Sequence, residues 1–188
     1  MIIKYNLQKI RLMLIIFLVM FNAVFLFAQD KKRVLFISSY HPSFPTFFQQ
    51  IDGVKSILKD VQIDVEFMDS KRFDYDEAAE IFLKKLKWKL KSFPKYDAVI
   101  TSDDNALIFL LKYKELFFPN IPAVFLGVNN IHRAIKQDKN PSITGVVEAV
   151  SMVDTIKLIE KLHPNTDKII AISDGTSSGN ADLNNYKK

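Results

Sequence analysis

The side chains best suited to chemistry fall in three polar clusters: Ser39, Tyr40 and His41; Asp103, Asp104 and Asn105; and Asn129 with Asn130. Adjacent carboxylates can accept hydrogen bonds from an amine or a polyol, and a tyrosine beside them can stack on such a ligand. The same aspartates could act as general base with His41 as acid, the pair a hydrolase would need. Glu148 adds a further carboxylate. The run Asp174-Gly-Thr-Ser-Ser-Gly179 could hold an anion on backbone N–H groups at a helix start, although no lysine directly follows it. Each residue also has a plain structural use. Aspartate and asparagine cap helices, asparagine pairs form turns, and a histidine before Pro42 suits an extended dipeptide.

Other chemistries leave no trace. The sequence holds no GxxxxGK, GxGxxG, HExxH or GxSxG pattern, and His41, His132 and His163 are too scattered for a metal-ligand set. No metal or cofactor is expected. The absence of Cys excludes thiol catalysis, zinc–thiolate sites and a disulfide scaffold. A net charge of +5 invites a nucleic-acid reading, but Lys4, Lys9 and Arg11 precede the first acidic residue, Asp30. The remainder is close to neutral, so no nucleic-acid partner is implied. The lysines at 84, 85, 87, 89 and 91 read as a solvated helix face.

The polar clusters sit where elements meet. Arg33 to Ser38 is a short apolar run suited to a strand covered on both faces, and Phe47, Ile51, Val54, Leu58 and Val61 follow at helical spacing. Strands are further expected over 63–68, 96–101, 121–126, 143–148 and 168–173, with helices over 74–93, from 103 to about 118, and from 151 to 162, where Ser151 and Asp154 form a capping box. Buried strands alternating with helices predict an α/β fold, a doubly wound parallel sheet. In such a sheet the loops after the first, third and fourth strands share one edge, which is where ligands bind. The expected domains are a first α/β lobe over 30–150 and the start of a second, incomplete and truncated lobe over 151–188.

Residues 12–28 are apolar apart from Asn22, preceded by basic residues and ended by Ala28, the pattern of a signal peptide or signal anchor over 1–28. The rest is expected to be exported, periplasmic or held at the inner membrane by that segment if it is not cleaved.

The blocks SSYHP, SDDNA and LGVNN, with KIIAISDGTSSG, resemble the ABC transporter substrate-binding-like family of type 1 periplasmic binding folds. The chain is especially similar to extracytoplasmic sensor domains of bacterial histidine kinases, over about residues 33–183. The resemblance implies two lobes that close on a small polar solute, without catalysis, in a two-component signalling protein. It places first-lobe contacts at Ser39, Tyr40, His41, Asp103, Asp104, Asn105, Asn129 and Glu148, with Asp174, Thr176 and Ser177 facing them. A homodimer fits this class. The alternatives are a solute-binding component of an importer, which the missing lipobox Cys disfavours, a hydrolase-type enzyme, or a gene fragment without function.

Overall fold

The structure is a computed structural model that describes residues 31–92, 95–149, 151–175 and 177–186, together with position 13. The expected signal segment and Thr176 lie outside the described residues, and of Ser177 only the backbone is described. Among the described residues no helix is long and apolar enough to cross a membrane.

Residues 32–188 form one unit. Its elements are β1 (Arg33–Ser38), α1 (Phe47–Ile57), β2 (Gln62–Phe67), α2 (Tyr75–Lys89), β3 (Ala98–Ser102), α3 (Asp103–Phe117), β4 (Ala123–Val128), α4 (Ile131–Ile135), a 3-10 turn (Lys136–Lys139), β5 (Ile143–Val147), α5 (Met152–Leu162) and α6 (Ser177–Tyr186). The five strands make one all-parallel sheet in the order β2-β1-β3-β4-β5.

The apolar run of β1 has a direct cause. Leu35 and Ile37 join a core with Phe82 and Leu86 of α2 and Leu107, Phe109 and Leu110 of α3, whereas Val34 and Phe36 pack with Phe47 and Ile51 of α1. Successive side chains point to opposite faces. A strand covered on both faces must therefore be apolar at every position, and β1 lacks alternation for that reason.

The two ends of the sheet differ. At the amino end Lys32 pairs with Asp97, Arg33 with Asp64, and Tyr96 donates to Asp64. At the carboxyl end lie the polar loops after β1, β3 and β4.

Three expectations need correction. Residues 168–173 do not form a sixth strand: Ile170 is 73% exposed, Ile172 is 95% exposed, and no neighbouring strand pairs with them. A β-branched run becomes a strand only when another backbone satisfies its N–H and C=O groups. The capping box at Ser151 is not made either; Thr155 Oγ1 donates to Ser151 O at 2.8 Å, and the Ser151 side chain caps nothing. Finally, the lysine row of α2 is not wholly a solvated face, because Lys85 and Lys89 both pair with the buried Glu66 of β2. The short α4, unanticipated from sequence, fills the β4–β5 connection.

Candidate functional site

Strand order reverses between β1 and β3: β1 leads outward to β2, and β3 leads the other way to β4. The loops leaving these strands therefore part, and their carboxyl ends flank a crevice. A cavity of about 510 Å³ lies there, lined by Tyr40, Phe44, Thr46, Gln50, Asp103, Leu126, Gly127, Asn129, Val147 and Glu148.

Ser39 builds the floor of this edge without lining the cavity. Fully buried, its hydroxyl donates to Ser102 O at 2.7 Å and accepts from Ala106 N at 2.8 Å, joining β1, β3 and the first turn of α3. Its carbonyl accepts from the N–H and the hydroxyl of Ser70, and Asn105 Nδ2 donates to Ser70 Oγ at 2.9 Å. Asn105 is thus a clamp on the β2 loop. Its Oδ1, buried, has no hydrogen-bond partner among the described residues.

The two aspartates have different work. Asp104 accepts from the backbone N–H groups of Asn129 (3.0 Å) and Asn130 (3.2 Å) and pairs with Arg133 at 3.1 Å, so it pins the β4–α4 turn. Asn130 completes that turn by accepting from Arg133 N at 3.0 Å, capping α4. Asp103 instead faces the cavity. Its backbone has φ +70, in the left-handed region that a non-glycine residue rarely adopts, and such outliers cluster at functional sites. Ser102 Oγ lies 2.6 Å from Asp103 Oδ2 and 2.6 Å from Gln50 Oε1.

Burial pushes the Asp103 carboxyl up to about 6, against hydrogen bonds from Ser102 and Gln50 that favour its charged form; the nearby negative charges of Glu148 and Asp104 add to the rise. Gly127 approaches it closely. It has φ +66, and a Cβ there would stand 3.2 Å from Asp103 Oδ1. Glu148 is exposed on the far wall. The Asn129 amide, turned so that its nitrogen donates to Gly127 O (3.2 Å) and Glu148 Oε2 (3.1 Å), holds that carboxylate toward the cavity.

The aromatic wall comes from the β1–α1 loop. Tyr40 and Phe44 stack with ring centroids 4.0 Å apart, and Lys71 Nζ lies 6.0 Å from the Tyr40 centroid. Lys71 also pairs with Asp174 at 2.8 Å.

Of the residues expected at the site, the cavity therefore unites Tyr40, Asp103, Asn129 and Glu148. Ser39, Asp104 and Asn105 are buried supports. His41 packs edge-on against Phe44 (6.1 Å between centroids) and makes no hydrogen bond to Asp103 or Asp104 among the described residues. Asp174 belongs to another groove, of about 500 Å³, between α5, residues 169–173 and α6. Phe44, Thr46, Gln50 and Val147 were missed, and Leu126 and Gly127 entered only as part of the LGVNN block. Gln50 had a signal: at i+3 from Phe47 and i−4 from Val54, it is a polar residue on the apolar stripe of α1. Among the described residues no cluster could hold a metal ion. A comparison with protein-family models finds none that matches the chain, and a comparison with curated proteins finds none either.

Proposed function

We propose that the protein is a non-catalytic, extracytoplasmic binding module for a small polar solute, acting as the sensor region of a two-component signalling protein. In this reading the sheet is the doubly wound first lobe of a type 1 periplasmic binding fold, residues 151–186 lead into the second lobe, and 1–28 export or anchor the chain. Ligand-driven closure of the lobes is the signal, and the ligand must favour the closed arrangement to shift the population.

One observation carries the reading: Tyr40, Gln50, Asp103, Asn129 and Glu148, from four separate stretches of chain, line a single cavity at the point where strand order reverses. A hydrolase is supported less well, because its acid–base pair needs His41 within hydrogen-bond reach of an aspartate.

Thermal denaturation of the purified chain across a panel of amino acids, amines, sugars and polyols tests the proposal. A saturable rise in Tm is expected with at least one class, diminished by Gln50→Ala or Tyr40→Ala. No rise with any member, at concentrations where an unrelated solute-binding protein responds to its own ligand, would falsify it.

A further inference from the structure

Resting on the reading of this cavity as a solute site, the charges around it narrow the solute. Glu66, Asp103 and Asp104 are the carboxylates buried among the described residues, 6%, 7% and 2% exposed. Buried carboxylates ordinarily sit beside a cation. Glu66 has Lys85 and Lys89, and Asp104 has Arg133. Among the described residues Asp103 has none: its hydrogen-bond partners Ser102 and Gln50 are neutral, and the charges that reach it, Glu148 and Asp104, are negative. The cavity lining contains two carboxylates and no Lys, Arg or His.

We infer that the cavity selects a solute carrying a protonated amine, whose ammonium group takes the place of the missing cation between Asp103 and Glu148. The chemistry of the remaining wall agrees with an amine borne on a small organic body. Phe44 and Leu126 offer apolar surface to the carbon skeleton, and Thr46 and Gln50 offer hydrogen bonds to a second polar group. A carboxylate or phosphate solute would meet repulsion from both acids, and Lys71, beside Tyr40, is already paired with Asp174. A neutral polyol would leave Asp103 hydrogen-bonded but without a counter-charge.

Proton linkage follows from the same neighbours. The groups facing Asp103 are Gln50 from α1, Ser102 and Asp104 from the start of α3, Gly127 and Asn129 from the end of β4, and Glu148 after β5. Arg133 offsets Asp104 alone. An ammonium group binds the ionised form of Asp103, and that form is depleted as pH falls through about 6. Affinity should therefore fall toward about tenfold per pH unit below that point, and binding should release protons.

The test is titration calorimetry of the full chain with two matched pairs, ethanolamine against ethylene glycol and phenethylamine against phenethyl alcohol. At about pH 8, at least one amine should bind about tenfold or more tightly than its alcohol. Asp103→Asn should abolish that preference, and Glu148→Gln should reduce it, with native circular dichroism confirming that each variant is folded. Alcohols that bind as tightly as their amines overturn the cation assignment while leaving the solute cavity intact. Amine preference that survives both Asp103→Asn and Glu148→Gln overturns it as well. No binding by any of the four compounds, with a Tm response to sugars or polyols, overturns the amine assignment alone; no response from any member of either panel defeats the solute reading too.

Discussion

Asp103 bears a cost that its neighbours make specific. Its carboxyl holds a proton up to about pH 6, compared with 3.8 for an ordinary aspartate, so between those values the folded chain binds more protons than the unfolded one. The stabilising contribution of this group is full below about pH 4 and is lost as pH rises through 6. Above that, burying its charge costs roughly 2–3 kcal/mol. Asp103→Asn should therefore raise stability at neutral pH by about 1–2 kcal/mol, with the gain shrinking toward zero near pH 4. Urea denaturation at both pH values measures this, and a constant difference between variant and parent would defeat the argument. Gly127 supplies an independent check. Alanine there must adopt φ +66 and crowd Asp103 Oδ1 at 3.2 Å; a loss of about 1–2 kcal/mol is expected, larger than for an exposed loop glycine.

Elements place these residues through a few buried ties, of which Ser39 is the most connected. Replacing it with alanine removes the donor to Ser102 O and strands the N–H of Ala106 without an acceptor inside the protein. Unsatisfied buried groups of this kind cost about 1–3 kcal/mol each. A loss of that size in unfolding free energy, read from a lowered urea midpoint, is expected for Ser39→Ala, and a change below the error of measurement would mean that water replaces the hydroxyl. How far such matters could be read beforehand depends on the range of the interaction. The strand at 33–38, the helix after it and the helix beginning at Asp103 were legible because burial writes apolar periodicity into the local sequence. The convergence of Tyr40, Asp103 and Asn129 was legible because parallel topology forces those loops to one edge. The division of labour between Asp103 and Asp104 was not, since it is decided by Arg133 and the N–H groups of Asn129 and Asn130, which sit some distance along the chain. The same holds for Glu66 and its two lysines. Residues 168–173 show the converse: their local sequence suits a strand, but no strand among the described residues pairs with them.

At the scale of the molecule, the sheet and the C-terminal stretch differ in how firmly they are held. β1 and β3 are buried on both faces, whereas α5 has no buried residue and exposes Val153, Leu158 and Leu162 beside Ile170 and Ile172. What ties residues 151–186 to the rest includes the Lys71–Asp174 pair and the contact of α6 with α3. With Asp174 about half exposed, that ion pair contributes on the order of 0–1 kcal/mol. Local opening free energy follows buried apolar contact, so amides of α5 and of 168–175 should exchange through sub-global openings, orders of magnitude faster than those of β1 and β3. Lys71→Ala should speed exchange in 169–183 by a few-fold and leave the global urea midpoint nearly unchanged, because the sheet core does not depend on that lysine. Hydrogen exchange read by mass spectrometry resolves both segments. Protection in α5 equal to that in β1, at protein concentrations where the chain is monomeric, would show that the stretch belongs to the same cooperative unit as the sheet. In that case the Lys71 substitution would lower the midpoint and the exchange rates of both regions together, and the picture of a firm binding edge beside a loosely docked continuation would fail.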